Sequence, residues 1–130
     1  MVNNVILVGR VSDEPKYSLT DAGYRVCHFH LAVRKEFRDE NNNYEVDFLP
    51  ITTWHAVADL IRDYVHKGSV IGVRCRASTK LQEINGQKFT QVYLNAENVN
   101  FISLTEKKLN DEATQNDSLE FDDGGQDEAV

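Results

Sequence analysis

Apolar and polar side chains alternate with a period of two through most of residues 1–102, and that pattern predicts five strands. Residues 3–11 (NNVILVGRV) form the first, with Gly9 inside it at a position suited to a bulge or to a tight bend at a barrel corner. Residues 24–37 form the second, where Cys27, Phe29, Leu31 and Val33 face one way and His28, His30 and Arg34 the other. Phe37 shares the parity of the core set, so it reaches solvent only if the strand bulges or runs past the barrel rim. The third, Tyr44–Trp54 (YEVDFLPITTW), sets Val46, Phe48, Pro50, Thr52 and Trp54 on one face and Leu49 and Ile51 on the other. At about 3.3 Å per residue, Phe48 and Trp54 stand roughly 20 Å apart, a spacing that suits either a platform for several stacked bases or a strand buried on both sides.

Residues 69–80 form the fourth strand, alternating Ile71, Val73, Cys75 and Ala77 with Arg74, Arg76 and Lys80. In the fifth, residues 88–101, Val92, Leu94 and Ala96 take one parity and Val99 and Phe101 the other, which predicts an irregularity near Asn98. Pro50 has no N–H for a ladder, so the pairing is expected to be open or irregular there. Residues 13–23, with Pro15 and Thr20-Asp21-Ala22-Gly23, read as a loop; residues 38–43 (RDENNN) and Asn85-Gly86 read as hairpin turns. The spacing of Val57, Leu60, Ile61, Tyr64 and Val65 predicts one helix over residues 55–67, with Lys67 at its C-terminal end and Gly68 as the left-handed residue after it.

Five strands with a helix between the third and the fourth is the element order of an OB-fold, a five-stranded Greek-key barrel that binds oligonucleotides or oligosaccharides. The net charge of −7 changes this picture only in its distribution. Residues 1–102 carry 12 Lys and Arg against 12 Asp and Glu, whereas residues 103–130 carry 2 against 9. The first segment therefore reads as one near-neutral domain, and the second as a disordered acidic tail with too few large apolar residues to offset its ordering entropy. Such a tail would compete with a polyanion for the same groove. No secretory signal or membrane-spanning run is visible, which predicts a cytoplasmic protein. Cys27 and Cys75 lack metal-ligand spacing and read as reduced core thiols.

Aromatic rings stack on bases without reading sequence, and cations beside them neutralise phosphates. Phe37, Phe48 and Trp54 are the candidate rings. Arg10, Arg34, Lys35, Arg38, Arg74, Arg76, Lys80 and Lys88 are the candidate cations, each read alone as a plain surface charge and together as a phosphate track. His28 and His30 share a strand face and, with His55 or Asp47, form the zinc alternative; solvated surface histidines are the commoner case, and no metal or cofactor is expected. Asp13 and Glu14 fall in a loop without a visible partner, so a carboxylate pair has nothing to rest on. With no phosphate loop, nucleophile elbow or HExxH helix, the reading is a non-catalytic binder.

Several ordered blocks, NNVILVGRV, FHLAVRKEFRD, VDFLPITTWHAVADLIRDYVHKGSVIGV and FTQVYLNAENVNFI, resemble the bacterial and phage single-stranded DNA-binding protein family over about residues 1–102. That resemblance implies an OB-fold, a homotetramer and the coating of single-stranded DNA in replication, recombination and repair, with nucleoid association. It also assigns base stacking to Phe37, Phe48 and Trp54. Members carry another aromatic, after a basic residue, in the hairpin between the fourth and fifth strands. Here Thr79-Lys80-Leu81-Gln82-Glu83 holds none, which implies a lost stacking point and weaker binding. Many members end in an acidic run closed by Phe that docks partner proteins. This chain ends FDDGGQDEAV, so recruitment of replication or repair proteins is the part of the resemblance that its residues do not carry. The alternative is an OB-fold accessory of a primosome or phage recombination system that docks a protein and touches DNA weakly; RNA binding is a third reading.

Overall fold

The computed structural model describes residues 1–105, so the tail expected over residues 103–130 lies, from residue 106 on, outside the described residues. Its elements are β1 (Val5–Val11), β2 (Lys16–Leu19), β3 (Arg25–Arg38), β4 (Tyr44–Trp54), α1 (His55–Tyr64), β5 (Val70–Ile84) and β6 (Gln87–Ser103). The sheet runs β1-β5-β6-β4-β3-β2, and β1 pairs again with β3 at Arg10↔Ala32 and Val11↔Leu31. That second pairing closes β1, β3, β4, β5 and β6 into a barrel, with β2 hung on the outside of β3. All pairs are antiparallel except β4 with β6, where Ile51, Thr52 and Thr53 lie beside Leu94, Asn95 and Ala96.

The alternation predicted from sequence fills the barrel. Phe29, Leu31, Ile51, Ile71, Val73 and both cysteines are buried in one cluster, and α1 closes it with Ala58 and Ile61. Burial pushes both thiols up to about 11, and both are free. Gly9 is the closing point. A Cβ there would lie 2.3 Å from the Ala32 carbonyl oxygen, so only a bare backbone lets β1 pass β3 this closely. Its pairing with Ile71 is in unbroken register with Val8↔Gly72 and Arg10↔Val70, so Gly9 marks the corner and not a bulge.

Several expectations are corrected. Residues 16–19 are not loop but a short strand on Arg25–His28; the turn that follows is as predicted, with Gly23 N–H donating to the Thr20 carbonyl at φ +90°. Only Tyr17 of that strand packs inward, which leaves too little alternation to announce it. The helix stops at Tyr64 rather than at Lys67, and its last-turn cation is Arg62. Beyond it the chain is drawn onto β1: Gly68 N–H donates to the Val11 carbonyl and Val11 N–H to the Ser69 carbonyl, both at 2.8 Å. Gly68 does take φ +98°, within that turn rather than as the residue ending the helix. The buried stripe is Ala58, Ile61 and the following Val65, while Leu60 and Tyr64 are exposed.

Pro50 leaves the β3–β4 ladder intact. His30, directly opposite, turns its N–H to Asp13 and its carbonyl to Ser12, so the His30↔Pro50 pair is a non-hydrogen-bonded one in which no donor is needed. The irregularity in that ladder falls instead between Arg34↔Val46 and Arg38↔Tyr44. The one predicted near Asn98 is present: Arg74 pairs with Asn98 and Cys75 with Ala96, leaving Glu97 as the extra residue. Upstream of it Leu94 and Ala96 point inward, and downstream Val99 does. The two hairpin turns also form as expected, with φ +54° and +81° at Asn85-Gly86 and Asp39 Oδ1 accepting from Asn41 and Asn43 N–H.

Because the Gly9 approach has no room for a methyl group, Gly9→Ala is expected to lower unfolding free energy by about 1–3 kcal/mol. A fall in the urea midpoint at unchanged slope measures it.

Candidate nucleic-acid interface

The barrel's outer face on β3 and β4 is set by cross-strand register. Ala32 lies opposite Phe48, His28 opposite Thr52 and Val26 opposite Trp54, so Phe48 and Trp54 share the outer side while Leu49, Ile51 and Thr53 turn in. Phe48 is 62% exposed. Trp54 is half-buried and fixed by its indole: Nε1 donates to Asn95 Oδ1 at 3.2 Å, and Asn95 Nδ2 donates to Ser78 Oγ at 2.9 Å. A hydrogen-bonded chain across β4, β6 and β5 therefore holds the ring with its body partly open. His55, at φ +55°, places its imidazole 6.3 Å from Trp54, and Tyr24 meets that imidazole edge-on at 5.7 Å.

Phe37 is 78% exposed. Both routes left open by its parity operate. The irregularity between Arg34 and Arg38 spans it, and the β3–β4 hairpin has by then run beyond the core, since every residue from Lys35 to Arg38 is exposed. Tyr44, beside the turn at the tip of this arm, carries two guanidinium groups over its ring, Arg34 at 4.5 Å and Arg38 at 4.7 Å. Hydrogen bonding and charge from Arg38, aided by Arg34, hold the Tyr44 phenol below its usual range.

The other candidate cations divide by partner. Arg10 is tied to the fold, its Nη1 donating to the Gly68 carbonyl at 2.8 Å. Lys35 bonds Asp47 at 2.6 Å, and that carboxylate holds its ammonium above the usual range. Arg74 and Arg76 share the carboxylate of Glu97, at 3.2 and 3.4 Å. The bulge at Glu97 is what brings one acid between two arginines of the same strand face. Lys80 sits 5.6 Å from the Tyr93 ring centroid, and Lys88 lies exposed opposite Glu83 near the tip of the β5–β6 hairpin.

The remaining candidate chemistry resolves into local contacts. His28 reaches Thr52 Oγ1 at 3.3 Å and His30 reaches Asp13 at 2.8 Å. Among the described residues, no group of three or more His, Cys, Asp or Glu side chains is placed to hold a metal. Asp13 and Glu14, expected to lack partners, both have them. Asp13 accepts from the His30 backbone and ring, and these outweigh its burial and lower its carboxyl from the usual range. Glu14 takes His66 Nδ1 at 2.7 Å and the Lys67 N–H at 3.1 Å. Residues missed from sequence are Tyr44, Asn95, Tyr93 and Phe89. Parity was the available signal, since Tyr44 shares Phe48's face and the other three oppose Leu94 and Ala96.

A closed five-stranded barrel with a helix between β4 and β5 and an outer face bearing rings and cations defines the OB-fold class of binding proteins. Solved structures agree with it. A Plasmodium falciparum SSB in complex with ssDNA matches with a TM-score of 0.68 at 26% identity, covering 79% of this chain and 97% of that one. A small single-stranded DNA-binding protein from Streptomyces coelicolor matches with a TM-score of 0.59 at 19% identity, over 78% and 96% of the two chains. The profile of the Single-strand binding protein family matches residues 2–102, and the chain belongs to that family. It is 33% identical over 115 residues to a single-stranded DNA-binding protein of Lactiplantibacillus plantarum, covering 88% of this chain and 56% of that relative. With single-stranded DNA-binding protein 2 of Listeria monocytogenes the identity is 36% over 103 residues, covering 78% and 64%. This chain thus spans about half to two thirds of the length of these relatives. Among its described residues no helix is long and apolar enough to cross a membrane.

Removing the guanidinium beside Tyr44 tests the electrostatics of this face. In Arg38→Ala the Tyr44 phenol is expected to titrate at higher pH than in the parent, because a cation that favours the phenolate is gone. Ring NMR shifts followed through alkaline pH read that change.

Proposed function

We propose that this chain is a non-catalytic single-stranded DNA-binding protein. It coats unpaired DNA without strong sequence preference in support of replication, recombination and repair. Bases stack on Phe37, Phe48 and Trp54, and Arg10, Arg34, Lys35, Arg38, Arg74, Arg76, Lys80 and Lys88 serve the phosphates. The observation that carries the reading is the outer strand face itself: the barrel keeps Phe48 in solvent on the same strand face as a tryptophan anchored by its N–H rather than by the core. Its relatives' names, and the ssDNA in the Plasmodium complex, support the same substrate.

Domain limits follow, with residues 1–102 as the binding barrel and residues 103–130 as an acidic tail, in a cytoplasmic, nucleoid-associated protein. Self-assembly into a homotetramer belongs to the same reading. It is supported by Ile6 and Val8, exposed on the side of β1 that faces out of the barrel, and by Val5–Val8 having β5 as their one strand partner among the described residues. Sedimentation at several concentrations measures the assembly.

Trp54 is the only tryptophan, so its fluorescence reports on the site directly. Oligo-dT is expected to quench it at low salt, with affinity falling by about 0.7 log unit per phosphate contact for each log unit of salt. Phe48→Ala should weaken binding about tenfold. An unquenched Trp54 at low salt would discard this reading in favour of a protein-docking accessory. Glu97→Gln, which frees Arg74 and Arg76, is expected to strengthen oligo-dT binding about two- to fivefold and to steepen its salt dependence. Anisotropy of labelled dT across a salt series gives both quantities.

A further inference from the structure

We infer that Phe89 and Tyr93, on the returning strand of the β5–β6 hairpin, provide the stacking point that the outgoing strand lacks. This rests on the single-stranded DNA reading above. The outgoing segment Thr79-Lys80-Leu81-Gln82-Glu83 contains no ring, but its partner strand does. Register sets Ser78 opposite Tyr93, Lys80 opposite Gln91 and Gln82 opposite Phe89, all on the face away from Leu94 and Ala96. That face is continuous with Trp54. The indole donates to Asn95, Asn95 donates to Ser78, and Ser78 lies directly across from Tyr93.

Each of the two rings is placed for contact. The Tyr93 hydroxyl accepts from Gln82 Nε2 at 2.5 Å, which holds the phenol along the strand, and Lys80 Nζ lies 5.6 Å from its centroid, a cation beside a ring. Phe89 is 41% exposed and takes no part in the core cluster. A lone exposed phenylalanine means little. What singles this one out is its place in line with Tyr93 and Asn95 along one face of β6, a face that Asn95 joins to Trp54 of β4.

The direction of the line also fits. β6 runs parallel to β4, so moving from Asn95 towards Phe89 follows the same sense as moving from Thr52 towards Phe48. From Trp54, rings therefore extend along two arms, Phe48 on β4 and Tyr93 with Phe89 on β6. Stacking accepts any base, so a ring supplied from the opposite strand of the hairpin meets the same chemical need as one supplied from the outgoing strand.

The test uses the full chain and dT homopolymers of several lengths, with binding read by anisotropy of the labelled oligonucleotide. Phe89→Ala and Tyr93→Ala are each expected to weaken binding of long dT about five- to tenfold, by a factor that shrinks as the oligonucleotide shortens, and Phe89→Tyr to retain it. In a Trp54→Phe, Phe89→Trp double variant, the new indole should be quenched by dT. If Phe48→Ala weakens binding while Phe89→Ala does not, or if the indole at position 89 stays unquenched, the inference is overturned and the single-stranded DNA reading stands. If the parent protein fails to bind dT, that reading itself falls. A loss in Phe89→Ala that comes with a changed sedimentation coefficient and is not restored by Phe89→Tyr would assign Phe89 a structural role, which also overturns the inference.

Discussion

The passage of β1 across β3 at Gly9 is the contact on which the rest of the molecule depends. Where the backbones meet, β1 leaves β5 as its sole partner and takes up Ala32 and Leu31 of β3, and the sheet becomes a closed wall. Closure gives Arg10 and Val11 a second strand partner, while Val5–Val8 keep β5 alone. It also forces every strand to divide its side chains between a filled interior and an exterior. β4 lies between β3 and β6 in that wall at Ile51–Thr53, so the outer residues there have strand neighbours on both sides, and Phe48 extends the same face beside Ala32 of β3. Phe48 and Trp54 owe their shared orientation to this arrangement, and the interior owes its packing to the residues between them.

What the sequence made legible was whatever obeys parity. The five barrel strands, their inward residues, the Asn85-Gly86 turn and the break near Asn98 all follow from period-two counting and turn chemistry, and the chain folds accordingly. Features decided by distant segments were not legible. β2 is held by pairing to β3 and by Tyr17, whose hydroxyl bonds Asp59 of the helix at 3.1 Å, and nothing local announces it. The helix was cut short because Val11 offers the residues after it a ladder. Pro50 looks like a defect in the sequence because its partner's hydrogen-bond direction is set by Asp13 and Ser12, far away along the chain.

The site followed the same division. Alternation alone put Phe48 and Trp54 on one shared face and the arginines of β5 opposite the core set, but with apolar groups on both sides of β4 it did not decide which of its faces is the outer one. Phe37 could not be placed, since its exposure depends on an irregularity that begins just before it. Nor could the partners of the cations be read, because Glu97 reaches two of them only through the bulge, and Asp47 reaches Lys35 across strands. The near balance of charge over residues 1–102 is thus expressed on the surface as specific pairs. A polyanion arriving there has to compete with carboxylates already in place, which makes its binding weaker and less steeply dependent on ionic strength than the count of cations suggests.

The bulge at Glu97 has one more consequence. β6 serves the interior with Leu94 and Ala96 before it and Val99 after it, so up to Phe101, where the register with β5 shifts a second time, the strand behaves as two reading frames joined by a single inserted amino acid. Excising that amino acid would swap inside for outside from Asn98 to Phe101, the stretch before the second shift, whereas lengthening the Asn41–Asn43 turn would shift no frame at all. Tolerance of insertions and deletions in this chain should therefore be sharply uneven, lowest at a point on the surface and not in the core.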